Sequence, residues 1–267
     1  MYENDDQTAL QDVLEIGYGP SGEPDFEEGD LDPLARLDDR EASEPPLPDP
    51  DTLLAWLDSA DPNERNRAAR AFCDLQEPRA VPRLIELLAD PCALIRVSAA
   101  YALGHNPNPA AVEPLIARYA SDSNGHARKG IIWALGNSGD RRAVPTLAQA
   151  LAKDITAVRL WAASALAQME VLNYDDAIVL VPLAIEALRR DPIPAVRSNS
   201  AWTLGQLCRE LPPNVVYATA IDALIEALVE DEDFGVFEDV KASLLQLGDP
   251  RALQLIEELE KDGLISL

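Results

Sequence analysis

The stretch 79–104, RAVPRLIELLADPCALIRVSAAYALG, predicts two short helices around a turn. Its first half spaces four apolar residues at i, i+3, i+4 and i+7, which gives a helix one apolar face. These residues are Val81, Leu84, Ile85 and Leu88. Asp90-Pro91 ends this helix, because proline has no N–H to donate and clashes with the preceding turn.

The second half of the stretch carries a second apolar stripe, formed by Ile95, Ala99, Ala102 and Leu103. Gly104 follows this stripe, and we expect it to close the helix in a left-handed cap. A short helix cannot bury an apolar stripe alone, so this helix pair requires neighbours of the same kind.

The same pattern recurs along the chain, with an arginine eight residues before a glycine or an alanine. The pairs are Arg96 with Gly104, Arg128 with Gly136, Arg159 with Ala167, and Arg197 with Gly205. Arg67 is placed at the start of this series, and Phe237 with Leu245 closes it in degenerate form. A repeat of this length predicts a stacked helical array. We therefore expect an all-α fold, an α-α superhelix of about six helix-pair repeats.

The repeated pattern A-V-P-x-L-I-x-L-L-x-D-P-x-x-x-V-R-x-x-A-A-x-A-L-G resembles the HEAT repeat. More narrowly, it is similar to the short HEAT-like repeats of cyanobacterial phycobilisome lyase proteins, and the resemblance covers residues 51–267. The run at 197–227, RSNSAWTLGQLCRELPPNVVYATAIDALIEA, resembles a HEAT-repeat group that binds an A-type iron–sulfur carrier. The resemblance specifies the fold more closely than the function, because helical repeats serve many unrelated tasks.

Charge and composition divide the chain in two. Residues 1–50 hold 16 acidic residues and two arginines, which accounts for −14 of the net charge of −25. Such a segment is too polar and too charged to build a core. We therefore predict an acidic, largely disordered N-terminal tail over residues 1–48 and a HEAT-like repeat solenoid over residues 49–267.

The acidic balance also excludes classes of partner. Nucleic acids and anionic membranes need a basic surface, which this chain lacks. No apolar run is long enough to span a bilayer, and the first ten residues, MYENDDQTAL, do not resemble a secretory signal. Three widely spaced cysteines form no CxxC pair, which is typical of a reducing, cytoplasmic compartment.

The repeated arginines predict a structural ladder. An arginine carries five donors in a fixed fork, so it can bridge an aspartate or carbonyl groups between adjacent turns. An aspartate precedes each arginine by five or six residues. The predicted ladder consists of Arg67, Arg96, Arg128, Arg159 and Arg197 with Asp61, Asp90, Asp122, Asp154 and Asp191. A catalytic or anion-binding role for these arginines is the alternative interpretation.

Aromatic residues form a second recurring feature. Five residues after most of the reference arginines stands a large ring, and Trp161 fills the gap left by Ser164 one helical turn earlier. The column consists of Phe72, Tyr101, Trp133, Trp161 and Trp202. In HEAT-like arrays second helices line the concave surface, so we predict an aromatic protein-binding groove there. The alternative is that these rings pack between repeats as ordinary core.

Catalytic chemistry is not apparent in the sequence. His105 and His126 lack the neighbouring glutamates that HEAT-repeat iron hydroxylases use as ligands. No GxSxG, P-loop or GxGxxG motif is present, and no side chain stands out as a dedicated acid, base or nucleophile. We therefore assign no catalytic residue, no metal ligand and no cofactor.

Two functions are consistent with these observations. The first is a non-enzymatic scaffold that binds another protein through its concave face, with an iron–sulfur carrier as the candidate partner. The second is one subunit of an E/F-type bilin lyase, paired with a second HEAT-like subunit and acting on a phycobiliprotein. Under this second interpretation aromatic rings and arginines would hold phycocyanobilin, a flat tetrapyrrole with two propionates.

Overall fold

The computed structural model describes residues 47–170 and 172–261. In this part of the chain there are thirteen α-helices and no strand. Six helix pairs follow one another and a single further helix comes after them, so the predicted all-α solenoid is confirmed. The tail predicted over residues 1–48 lies almost wholly outside the described residues.

Each repeat contains a first and a second helix in chain order. The first helices are α1 Pro50–Leu57, α3 Val81–Leu87, α5 Pro109–Ser121, α7 Val144–Lys153, α9 Tyr174–Arg190 and α11 Val215–Glu230. The second helices are α2 Pro62–Ala71, α4 Ala93–His105, α6 Gly125–Ser138, α8 Thr156–Gln168, α10 Pro194–Glu210 and α12 Phe234–Leu247. The helix α13 Pro250–Lys261 has the register of a first helix. Two 3₁₀ turns, Pro78–Ala80 and Arg141–Ala143, lead into α3 and α7.

The helices are arranged in two layers that share one continuous core. Each second helix packs against its first helix and against the second helices before and after it. The second helices approach one another more closely than the first helices do. The core therefore runs along the array, from Leu53 in α1 to Ile256 in α13, rather than collecting at one centre.

Local signals in the sequence set the helix boundaries. Proline occupies one of the first two positions of α1, α2, α5 and α10, where its missing N–H costs no intrahelical hydrogen bond. Asparagine caps several first helices, and Asn173 forms a capping box with Asp176 at the start of α9. The helices α9 and α11 have 17 and 16 residues, which is longer than any first helix before them.

The expected left-handed cap at Gly104 is wrong. This glycine lies inside α4, and left-handed backbone occurs only at Gly139 and Gly248 within the described residues. A Cβ atom at position 104 would stand 2.3 Å from Cζ3 of Trp133. Glycine is therefore required here because the next second helix packs too closely for a side chain.

None of the helices in residues 47–170 and 172–261 is both long and apolar enough to cross a membrane.

Candidate protein-binding surface and arginine ladder

The arginines near the start of the second helices join each repeat to the next one. Arg96 donates from Nε and Nη2 to both carboxylate oxygens of Asp122 in the following repeat, at 2.7 and 2.9 Å. Its Nη1 donates to the carbonyl of Asp90 in its own turn, at 3.0 Å. Arg128, Arg159 and Arg197 repeat this bidentate arrangement with the aspartate of the next turn.

The acceptors in this ladder are the aspartates of the next repeat. The pairs are Arg96–Asp122, Arg128–Asp154, Arg159–Asp191 and Arg197–Asp231. Most of these aspartates also accept the N–H of the residue two positions later, as Asp122 does from Asn124 at 2.9 Å. One carboxylate therefore orders its own turn and binds the preceding repeat.

The first repeat requires a correction to the predicted ladder. Arg65, and not Arg67, donates to Asp90 at 2.9 Å and to the carbonyl of Ser59 at 2.8 Å. Arg67 lies two residues further along α2 and points elsewhere, with its guanidinium 5.1 Å from the ring centre of Trp56. The helical rotation of two residues removes Arg67 from the edge where the turns meet.

The predicted role of Asp61 in the ladder is also wrong. Asp61 accepts the N–H of Asn63 at 2.9 Å and so caps α2. No repeat precedes it in the described array, so no arginine reaches it. At the other end Asp231 accepts the bidentate contact from Arg197, and the sequence interpretation had not included it.

Electrostatics favours the charged form of Asp122, Asp154 and Asp231, because the pKa of each carboxyl is lowered. Burial acts to raise the pKa of Asp122, but hydrogen bonds from Arg96, the Asn124 N–H and Arg118 outweigh it and hold the pKa at about 2. The pKa of Asp154 is lowered in the same way, because contacts that include Arg128 outweigh its burial. Arginines engaged in this way hold the array together and are not available to an external anion.

Three of the predicted aromatic residues form one cluster on the surface of the second helices. The ring centre of Trp133 lies 5.2 Å from that of Tyr101 and 6.5 Å from that of Trp161, the latter edge to face. His105 packs on Trp133 at 4.8 Å, and the Lys129 ammonium is 6.0 Å from the Trp161 ring centre. All three predicted rings are half-buried, so each presents part of its surface to solvent.

The other two predicted residues do not belong to this cluster. Phe72 has no exposed surface and is part of the core, which contradicts its assignment to the groove. With Arg65 as the reference, Phe72 occupies the core position of Leu103 and Leu135, while Arg70 occupies the column position. Trp202 is half-buried on α10, and no ring contact joins it to the cluster within the described residues.

A groove of about 370 Å³ adjoins the aromatic cluster on the side of the first repeat. It is mostly apolar, and it is lined by α2, the turn that follows α2, and α4. The lining residues are Asn66, Arg70, Cys73, Leu94, Val97, Ser98, Tyr101 and His105. Leu94 is more than half exposed. Sequence reasoning missed this groove because its walls come from two repeats whose relative register had been misassigned.

The described residues were compared with what metal binding and cysteine-based catalysis require. Within the described residues no group of three or more histidine, cysteine or acidic side chains could hold a metal ion. Burial raises the pKa of the Cys73 thiol to about 11 and that of Cys208 to about 12, so neither is an activated nucleophile. Cys92 is exposed at the start of α4.

Stacked helix pairs joined by a buried ladder define this protein as an α-solenoid of the repeat type. More specifically, the chain belongs to the HEAT repeat family, whose model matches residues 50–129, 112–183 and 181–263. No curated protein sequence matches the chain.

Solved structures share the fold at low sequence identity. A designed armadillo repeat protein in complex with the peptide (KR)4 is 18% identical, covering 74% of this chain and 98% of its own, with a TM-score of 0.58. Kap95p, in a structure of its binding to RanGDP, is 16% identical over 79% of this chain and 33% of its own, with a TM-score of 0.55. A chain in the complex of CpcE and CpcF of phycocyanin lyase from Nostoc sp. PCC7120 is 23% identical, covering 62% of this chain and 99% of its own, with a TM-score of 0.48.

Proposed function

We propose that this protein is a non-enzymatic scaffold that binds a segment of another protein on the surface of its second helices. The observation that supports this proposal best is the half-exposed cluster of Tyr101, Trp133 and Trp161 beside an apolar groove. Tryptophan and tyrosine dominate binding hot spots because they bury much area while losing little side-chain freedom. Repeat solenoids are suited to this task, since their layers form extended surfaces.

The charges around the cluster suggest what the bound segment contains. Arg70 and Lys129 flank the groove and the rings, and neither makes a salt bridge within the described residues. Most arginines in the described part of the chain pair with carboxylates there, so two cations on one surface that have no carboxylate partner in that part are informative. The bound segment would present apolar or aromatic side chains together with carboxylates.

The specific partner remains a proposal that rests on sequence resemblance. The iron–sulfur carrier is the first candidate, and a cytoplasmic location would suit it. A phycobiliprotein and a second HEAT-like subunit are the candidates under the lyase alternative. Against the alternative, the ladder arginines Arg96, Arg128, Arg159 and Arg197 are each paired with an aspartate and are not free to bind propionates.

A peptide library tests the proposed surface without a known partner. Random peptides selected on the wild-type protein should bind Trp161→Ala at least tenfold more weakly, since a hot-spot aromatic contributes about 2 kcal/mol or more. Lys129→Glu should weaken the acidic peptides selectively. Fluorescence anisotropy with labelled peptides measures both effects, and thermal melting monitored by circular dichroism shows that the variants stay folded.

Val179→Ser is the matched control, because Val179 is an exposed apolar residue on the first helix α9. This variant should bind the selected peptides as the wild type does. Peptides that bind Trp161→Ala as tightly as the wild type would refute the proposed surface. Visible absorbance after adding phycocyanobilin tests the alternative, because specific binding to the purified protein would favour a lyase subunit.

A further inference from the structure

His105 is an ionisable residue at the junction of the aromatic cluster and the apolar groove. It is the last residue of α4, and its side chain is exposed. Its ring centre lies 4.8 Å from that of Trp133, and its side chain lines the groove together with Arg70. Within the described residues its imidazole nitrogens make no hydrogen bond and no ion pair. Both nitrogens are therefore available to a segment bound on this surface.

The contact between His105 and Trp133 is compatible with both charge states of the imidazole. A neutral imidazole packs against indole as one aromatic ring against another. An imidazolium at a distance of 4.8 Å is attracted by the electron-rich face of tryptophan, as other cations are. Protonation therefore adds a positive charge to the surface while the ring keeps its packing partner.

The first repeat places one cation and one anion near this imidazole. Arg70 of α2 lines the same groove and makes no salt bridge within the described residues. Cys73 also lines the groove, and burial raises the pKa of its thiol to about 11, so it carries no charge near neutral pH. Asp74 is exposed in the same turn and forms no ion pair with His105 in the described part of the chain.

The second and third repeats add no anion to the neighbourhood of His105. Tyr101, one turn earlier in α4, carries a phenol, which is uncharged near neutral pH. Trp133 and Asn137 of α6 do not titrate, and Asn137 donates to the carbonyl of Gly104. Lys129 is the nearest cation of α6, and its ammonium approaches the tryptophan of α8. A carboxylate that enters the groove thus meets Arg70 and, when the imidazole is protonated, a second cation beside it.

We propose that protonated His105, together with Arg70, binds a carboxylate of the partner segment, so that this surface binds its partner more tightly in mildly acidic than in alkaline solution. The inference rests on the proposed function, because it concerns the same surface and the same kind of segment. Histidine is the side chain that ordinarily changes charge near pH 6.5. A carboxylate held beside it favours the charged form, so binding takes up a proton.

The direction of the pH effect follows from this proton uptake. A partner that raises the pKa of a histidine adds affinity that is present at low pH and is lost as the pH rises past the raised pKa. A rise of about one pKa unit on binding gives a gain in affinity of about fivefold between pH 8 and pH 6. Aspartate and glutamate side chains of a peptide stay ionised over this range, so the change does not come from the peptide.

The test uses the full chain and a peptide that contains aspartate or glutamate, taken from the selection described above. Fluorescence anisotropy at constant ionic strength should give a Kd about fivefold lower at pH 6 than at pH 8. The matched control peptide carries asparagine and glutamine in place of its acidic residues, and its Kd should be the same at both pH values. A selection that yields no acidic peptide would overturn the proposal.

Three variants assign the effect to one side chain. His105→Gln should bind the acidic peptide as the wild type does at pH 8 and should not gain affinity at pH 6. His105→Lys stays charged at both pH values, so it should bind at pH 8 as tightly as the wild type binds at pH 6. His126→Gln is the control, because His126 is exposed in the first turn of α6 and does not line the groove. This variant should keep the full pH dependence.

NMR titration of the imidazole Cε1–H signals measures protonation directly, and His105→Gln assigns the signals of the two histidines. The titration midpoint of His105 should be higher in the complex with the acidic peptide than in the free protein. Equal midpoints would overturn the proposal. So would a Kd that does not change with pH for a peptide that still depends on Trp161, and the proposed surface would then stand without this proton. Peptides that bind Trp161→Ala as tightly as the wild type would refute both.

Discussion

At the scale of single residues, Arg96 shows how one side chain connects two repeats. Only a tenth of its side chain is exposed and that of Asp122 is not exposed at all, so the pair is almost fully desolvated. The bidentate contact offsets the cost of burying both charges, and the Asp90 carbonyl uses a further donor of the guanidinium. Removing one partner leaves a buried charge without compensation.

Arg96→Ala should therefore destabilise the protein by about 3–5 kcal/mol, because the Asp122 carboxylate loses its buried partner. Arg67→Ala should cost less than ~1 kcal/mol, since an exposed cation–π contact contributes no more. Urea denaturation followed by circular dichroism compares the two variants. Equal losses would mean that the buried ion pair does not connect the repeats as described.

Gly104→Ala tests the close packing of second helices beneath the aromatic cluster. The added methyl group would collide with Trp133, so we expect a loss of about 1–3 kcal/mol and displacement of the ring. Tryptophan emission should shift to longer wavelength as the ring becomes more exposed. Gly139→Ala is the control: it strains left-handed backbone but meets no atom within 4 Å, so the emission should not change.

At the scale of helices and turns, the structure repeats one arrangement with small changes. After the first repeat, each turn aspartate orders the start of its own second helix and accepts hydrogen bonds from the arginine of the preceding repeat. The conformation of the turn and the contact with the preceding repeat therefore depend on the same carboxylate. Protonation of that carboxylate weakens both contacts at once.

Stability should consequently fall in acid. The folded-state pKa of Asp122 is about 2, below the value of about 3.9 for an unfolded aspartate. Asp122 therefore contributes about 2–3 kcal/mol to the free energy of unfolding. This contribution is complete above pH 5 and is lost as the pH falls toward 2. Denaturation midpoints of wild type and Asp122→Asn should differ at pH 7 and converge near pH 2. A difference that is independent of pH would contradict this assignment.

At the scale of the whole molecule, the core continues along the array and each repeat contacts only its neighbours. Stability in such a protein is approximately a sum of repeat and interface contributions. Middle repeats have a neighbour on both sides, whereas α13 buries only Ala252 and Ile256. Backbone amides should therefore be protected most strongly against hydrogen exchange in the middle repeats.

Hydrogen exchange should show this gradient directly. Amides of α4, α6 and α8 should exchange more slowly than those of α13 by at least tenfold, because α13 can detach without opening the rest. Mass spectrometry of peptic fragments measures the rates. Protection of α13 as strong as that of α6 would contradict this gradient.

The sequence by itself determined the fold class, the positions of most helix pairs and the identity of the four inner ladder arginines. Apolar spacing and proline placement act within one helix, so they can be recognised without knowing the neighbours. The error in the first repeat arose because α2 contains Arg65, Arg67 and Arg70, and all three suit a helix. A spacing of 31 residues from Arg65 to Arg96 matches the next steps and would have selected it.

Only the tertiary structure decided which groups meet between repeats. It showed that each inner ladder arginine binds the carboxylate of the following repeat, that Phe72 is core and that Gly104 accommodates Trp133. It also showed that Phe234 is exposed at the start of the last second helix. These features depend on the rotation and spacing of one helix against another, and residues about thirty positions apart carry no local signal of either.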